Sequence, residues 1–278
     1  MEIVNRIPRM ISSSRELRAE GKRIGLVPTG GALHEGHLSL ITRARELCDS
    51  VIVSILLDRD VEEPAVDLAR DVELALTRGV DSIFAPAAED MFAEGFATWV
   101  SVEGLGEKLE GAILPGHYRE VTTGVNKFFN IVRPHFAFFG RKDAQQLVLV
   151  KRMVRDLAMD VEIVVCPTVR EEDGLALSSA NANLSTAERR AATVLRRSLE
   201  RCQSLFNAGE RDAGRLIASM RSIVDAEPLA RIDYIAITDT EQLDPVEAIP
   251  PGSPTLVSGA VYIGATRLTD NIVLNGEL

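Results

Sequence analysis

Two histidines stand three residues apart in Pro28-Thr29-Gly30-Gly31-Ala32-Leu33-His34-Glu35-Gly36-His37. At that spacing both imidazoles fall on one side of a first helical turn, where each can donate a hydrogen bond to a phosphate oxygen. Gly30 and Gly31 leave the preceding main chain uncovered, so a bulky anion can reach its N–H groups, and a helix N-terminus is itself suited to an anion. The same residues also read as a tight turn with two polar capping histidines, and the pattern alone leaves both readings open. A second chemical group lies at Gly140-Arg141-Lys142-Asp143, just ahead of a helical pattern. An ammonium there runs against the helix dipole but can neutralise charge on a transferring phosphoryl group.

The elements that must position these groups alternate. Residues 24–27 form an apolar run ended by Pro28, and Leu38, Ile41, Ala44 and Leu47 recur at helical spacing to about residue 49. The continuous apolar run 51–57 predicts a strand buried on both faces, as in a parallel sheet. Further along, the patterns predict a helix over 67–78, strands at 82–85 and 136–139, and an edge strand at 98–102. A turn at 115–119, with His117 and Arg119 as candidate anion contacts or turn pins, leads to a helix over 121–132. Leu147, Val150, Val154 and Leu157 then mark a long helix, followed by a strand at 161–165. A short capped helix over 12–20 precedes it all. Right-handed crossovers place both chemical groups at the carboxyl edge of the sheet.

Glu171-Glu172-Asp173-Gly174 marks a turn and a domain limit. Beyond it, Ser185-Thr186-Ala187-Glu188 reads as a capping box opening a helix to about residue 207. A helix over 213–224 and strands at 232–237 and 258–263 complete a small α+β domain.

The chain has 278 residues and a formal net charge of −10, which argues against a nucleic-acid partner because a phosphate backbone is bound by clustered Lys and Arg. Cys48, Cys166 and Cys202 have no metal-ligand spacing and read as reduced, buried thiols. The N-terminus lacks a signal-peptide layout, and the sequence holds no bilayer-length apolar run, so the expected location is cytoplasmic, with no membrane partner.

The stretch from Pro28 to His37 resembles the H-x-G-H signature of nucleotidyl-transferases, and its full wording resembles the pantothenate synthetase (pantoate–β-alanine ligase) family. Further matches fall at 140–146, 168–181 and 264–271. The chain departs from the family where Gly30 replaces a methionine, Asp58 an asparagine, Val61 a glutamine, Arg141 a glutamate and Ala180 an arginine. The loop after Leu57 is also shorter.

The resemblance implies a doubly wound, Rossmann-like α/β domain over 1–170, a small lid domain over 171–278, and a homodimer. It implies that pantoate attacks the α-phosphate of ATP, with magnesium, and that β-alanine then takes the acyl group. Carried over residue by residue, His34, His37 and Lys142 are catalytic. ATP would be held at Gly30, Gly31, Ala32, Leu33, His34, Gly36 and His37, at Gly140, Arg141, Lys142 and Asp143, and at Val169, Leu177, Ser178, Ser179 and Ala180. Gln146, Asp58 and Val61 would face the acid, and no protein residue is expected to ligate a metal. Arg141 is the candidate replacement for the arginine missing at Ala180. Two other readings stay open: a paralogue with another acid or amine, and a nucleotide-binding protein with impaired catalysis.

Overall fold

The computed structural model describes residues 1–56 and 67–278. The chain forms two compact units. The first comprises Met1–Gly106, Pro115–Gly140 and Leu149–Pro167, and the second Glu107–Leu114, Arg141–Val148 and Thr168–Leu278.

In chain order the elements begin with β1 (Glu2–Val4), α1 (Ile7–Ala19), β2 (Ile24–Thr29), α2 (Glu35–Leu47), β3 (Ser50–Ile55), α3 (Leu68–Leu76), β4 (Ser82–Phe84) and α4 (Ala88–Met91). The short α5 (Glu110–Ile113) belongs to the second unit, and α6 (His117–Val132), β5 (Phe136–Gly140) and β6 (Glu162–Cys166) to the first. Helix α7 (Ala144–Asp156) starts in the second unit and ends in the first.

The six strands of the first unit form one parallel sheet in the order β1-β4-β3-β2-β5-β6. The chain moves outward from β2 through β3 and β4, then returns to the other side of β2 as β5. The β2–β5 gap is therefore a topological switch point, and ligands of such sheets bind beyond the carboxyl ends of the strands there. Val51, Val53 and Ile55 of β3 pack with Leu38, Ile41 and Ala44 of α2 in one core. Each such buried valine, leucine or isoleucine side chain contributes about 1.5–3 kcal/mol. On the other face Phe84 meets Phe128 of α6 edge-on at 5.9 Å.

Pro28 does not end β2, contrary to the expectation, and stays in register opposite Ser54. Ile24 exchanges bonds with His135 ahead of β5, whereas the Thr29 carbonyl accepts from Leu56 beyond β3. By alternation Pro28 faces the β5 side, where pairing has ended at Leu26–Ala137. Its missing N–H therefore removes no ladder bond.

Three other expectations for the first unit change. Residues 98–102 form no strand: the Val100 N–H donates to Thr123 Oγ1 at 3.0 Å and its carbonyl accepts from Thr122 Oγ1 at 2.6 Å, so α6 side chains satisfy backbone that a sheet would have claimed. Helix α1 begins at Ile7 rather than near residue 12, with Pro8 in its first turn. Helix α6 begins at His117, inside the expected turn, after Gly116 in the left-handed region.

The second unit continues with α8 (Thr186–Ala192), α9 (Val194–Asn207), α10 (Ala213–Asp225), β7 (Ala230–Asp239), β8 (Thr255–Ile263) and β9 (Thr266–Leu274). The Ser185–Glu188 capping box forms as expected, but the single helix divides at Thr193, whose hydroxyl donates to the Arg190 carbonyl at 2.9 Å. The three strands make an antiparallel sheet in the order β7-β8-β9. Its core joins Leu195, Leu199 and Cys202 of α9, Leu216 and Met220 of α10, and Val257 and Val261 of β8. Strand β9 is not legible in the sequence because Asp270 and Asn271 are buried in it.

Candidate active site

In the first unit the turn after β2 is fixed from several sides. Thr29 Oγ1 donates to the Ser54 carbonyl at 2.9 Å and accepts from the Gly31 N–H at 3.3 Å. Gly31 has φ +94°, which glycine adopts without strain, and Ala32 follows at φ +50°. Leu33 is fully buried, and its N–H donates to Asp71 Oδ1 of α3 at 2.7 Å. Gly30 is exposed, and a β-carbon placed on it would meet nothing nearer than the Leu56 carbonyl oxygen at 3.8 Å.

His34 is the N-cap of α2 in extended conformation, and its Nδ1 accepts from the Gly36 N–H at 3.1 Å. His37 Nδ1 accepts from the His34 N–H at 3.4 Å. The histidines are thus capping residues. An Nδ1 that accepts carries no proton, so in both neutral rings the proton sits on Nε2 as a donor. The rings stack with centroids 4.1 Å apart and 27° between planes. Two stacked imidazoles at a helix N-terminus suit an anion, and the capping bonds occupy only the Nδ1 side of each ring.

In the second unit, Lys142, Ser178, Asn181, Arg196, Glu110 and Arg267 line one cavity of about 190 Å³, together with apolar residues and part of β9. Lys142 Nζ lies 3.4 Å from Asp143 Oδ1. Asn181 Nδ2 donates to Glu171 Oε1 at 2.8 Å and to the Ala176 carbonyl at 3.0 Å, and the Leu177 N–H donates to the Val169 carbonyl at 3.0 Å. These bonds shape the loop that presents Ser178 and the 3₁₀ turn Ser179–Asn183.

A β-bulge between Ile232 and Tyr234 turns Asp233 toward Arg267, whose Nε donates to it at 2.9 Å. The other guanidinium nitrogens of Arg267 grip Glu110 at 3.0 and 3.3 Å, and Tyr234 donates to Glu110 at 3.0 Å. Burial, then the Glu110 charge, pushes the Tyr234 hydroxyl well above its ordinary range. It therefore stays a donor.

Among the residues expected at a site, His34 and His37 are brought together in the first unit, and Lys142 and Ser178 share the cavity of the second. Gly140 closes β5, and Gln146 is half-buried in the first turn of α7. Its neighbour Gln145 is structural: it donates to the Lys108 carbonyl at 2.7 Å and accepts from the Glu110 N–H at 3.1 Å. Ala180 packs on the apolar core, and Arg141 is not in the cavity wall. Arg119 lies over the Trp99 ring at 4.7 Å and His117 is edge-on to Tyr118 at 5.1 Å, which favours the turn-pinning reading of both. Asp58 and Val61 lie outside the described residues. Arg196 and Glu110 escape sequence reasoning, because nothing in their spacing marks them, whereas Asn181 and Arg267 lie in the stretches 168–181 and 264–271 that resemble the family.

The parallel sheet with its histidine-capped glycine turn defines a doubly wound α/β protein of the phosphate-handling class. A family model described as pantoate-beta-alanine ligase matches residues 2–273. Pantothenate synthetase from Pelotomaculum thermopropionicum is 49% identical over 285 residues, covering 100% of both chains. That from Heliobacterium modesticaldum is 50% identical over 281 residues, covering 99% of each. Among solved structures, pantothenate synthetase from Thermus thermophilus superposes with a TM-score of 0.88 at 39% identity, over 98% of this chain and 99% of that one. Pantoate-beta-alanine ligase from Francisella tularensis, complexed with beta-gamma ATP and beta-alanine, superposes with a TM-score of 0.76 at 30% identity, over 98% of this chain and 97% of that one. The chain belongs to the pantoate–β-alanine ligase family and is an enzyme, a ligase. Among the described residues no helix is long and apolar enough to cross a membrane.

Proposed function

We propose that this chain joins pantoate to β-alanine at the expense of ATP, through a pantoyl adenylate. A carboxylate oxygen of pantoate attacks the α-phosphorus, the bond to the β-phosphate oxygen breaks and pyrophosphate leaves. The amine of β-alanine then attacks the acyl carbon, the bond to AMP breaks, and the amine proton is released to solvent. A free carboxylate does not acylate an amine at neutral pH, so the mixed anhydride supplies the activation.

The observation that carries the reading is the orientation of the two histidines, whose Nδ1 atoms accept from the main chain. Their Nε2–H groups are assigned to the α-phosphate as its charge grows, which is the contribution that preorganised donors make best. Lys142 is assigned to the departing pyrophosphate. Ser178 and Ser179 are assigned to phosphate oxygens, and main chain at Gly30, Gly31, Ala32, Leu33, Gly36, Gly140, Arg141, Asp143, Val169, Leu177 and Ala180 to the nucleotide. Arg196, whose Nε donates to Glu200 at 2.8 Å, is assigned the guanidinium role that Ala180 lacks, a role supported by its place in the wall of the cavity that Lys142 also lines. Gln146, Asp58 and Val61 are assigned to the acid.

Magnesium is proposed to arrive on the nucleotide. Among the described residues no group of three or more His, Cys, Asp or Glu could hold a metal, and magnesium on a triphosphate needs only phosphate oxygens, water and one or two carboxylates. It would supply charge neutralisation on the phosphates. A cytoplasmic location is supported by three buried, free cysteines. The homodimer is part of the same proposal, and light scattering should return twice the 30.3 kDa chain mass.

The test is acid-dependent exchange of labelled pyrophosphate into ATP, without amine, across a panel of small carboxylic acids. Exchange with pantoate supports the reading. Exchange only with another acid makes this a ligase of different specificity, and exchange with none leaves nucleotide binding without catalysis.

A further inference from the structure

Asn271 of β9 makes an arrangement that the fold of its sheet does not require. Its Nδ2 donates to two consecutive main-chain carbonyls, those of Arg141 at 3.0 Å and Lys142 at 2.7 Å. A carboxamide nitrogen carries two protons, so each carbonyl receives one, and the reversed amide would set oxygen against two oxygens. Asn271 is 4% exposed, and its Oδ1 is buried with no hydrogen-bond partner among the described residues. Burying an unpaired acceptor has a cost, so what the side chain contributes is its pair of donors.

The adjacent residue acts in parallel. Asp270 accepts two bonds from the Arg170 guanidinium, at 2.7 and 2.9 Å, and another from the Asn271 N–H at 2.8 Å. Arg170 also donates to the Gly174 carbonyl at 3.1 Å and pairs with Ala176 across the turn that leads to Ser178. Neighbouring residues of one strand therefore hold two turns. Asp270 steadies the one before Ser178, and Asn271 the one that carries Lys142.

We propose that Asn271 is a positioning residue for Lys142. A lysine side chain is a flexible four-carbon stem, so the direction of its ammonium is constrained mainly where the stem leaves the main chain. By fixing the carbonyls on either side of the Lys142 α-carbon, Asn271 sets that direction into the cavity. This rests on the assignment of Lys142 to pyrophosphate made above.

The test is a double-mutant cycle on pyrophosphate exchange with N271A, K142A and the pair, at enzyme concentrations high enough to resolve the K142A rate. Misplacing a reacting group by about 1 Å costs on the order of 10²-fold, so N271A should lower kcat by about that factor while the KM for the acid stays unchanged. In the K142A background the same substitution should cost nothing further. An equal loss in both backgrounds, or a wild-type rate for N271A, overturns the proposal while leaving the assignment of Lys142 standing. A wild-type rate for K142A overturns that assignment and this proposal together. If N271A does not fold, N271S, which keeps one hydroxyl donor, takes its place in the cycle.

Discussion

Replacing His34 by asparagine and by alanine separates two jobs that one imidazole performs. The Nδ1 of histidine and the Oδ1 of asparagine both sit one bond beyond Cγ, so His34→Asn keeps an acceptor for the Gly36 N–H now held at 3.1 Å. His34→Ala removes it. Loss of an N-cap acceptor costs about 0.5–2 kcal/mol. In domains of roughly 150–250 residues each kcal/mol lowers Tm by about 2–4 °C, so calorimetry should place H34A a few degrees below wild type and H34N close to it. Neither variant keeps the Nε2–H. Removing one preorganised donor to a developing oxyanion costs about 10²–10³ in kcat, so both should lose that much pyrophosphate exchange. A stable H34N with a wild-type exchange rate would refute the assignment of this ring to phosphate. An H34A of unchanged Tm would refute the capping geometry.

Other outcomes follow from the first unit. A β-carbon on Gly25 of β2 would lie 2.7 Å from Cys48 Sγ, 3.1 Å from Phe138 Cε2 and 3.2 Å from Cys48 Cβ, so rotating the thiol relieves only the first of these contacts. Gly25→Ala should therefore destabilise by about 1–3 kcal/mol in urea titration, and less in a C48A background. Burial, and next the Arg18 charge, hold the His135 imidazole below its ordinary 6.5, where its Nδ1 accepts the Ile24 N–H at 2.9 Å. Because the folded ring binds a proton less readily than the unfolded one, its contribution is complete above pH 6.5 and declines as pH falls below that value. His135→Asn keeps an acceptor without a titrating group, and Tm measured from pH 7 down to 5 should fall less for it than for wild type. Cys48, pushed up to about 11 by burial, should resist alkylation in the folded protein at neutral pH.

The central sheet was legible because its strands are continuous apolar runs and its signature turn has glycines at fixed offsets from histidine. Boundaries were less so where side chains replace backbone partners, as Thr122 and Thr123 do for Val100. Pro28 misled because its cost depends on which neighbour the missing N–H would have faced, which sequence alone does not give. The histidine turn was legible as chemistry, but the capping role of each ring became visible only with its Nδ1 partner in place. Strand β9 was hidden because Asp270 and Asn271 are buried polar residues at positions where an apolar pattern would have revealed a strand. The cavity of the second unit gathers residues from Glu110 to Asp270, and no local spacing announces such a set.

The most direct test of acyl-adenylate formation follows oxygen. Pantoate carrying ¹⁸O in its carboxylate should, on turnover with ATP and β-alanine, pass one label to the phosphate of AMP and retain the other in the amide product. Label in inorganic phosphate, with ADP formed, would mean that the acid is activated at the γ-phosphate. Amide product with unlabelled AMP would mean that the carboxylate never bonds to the α-phosphorus.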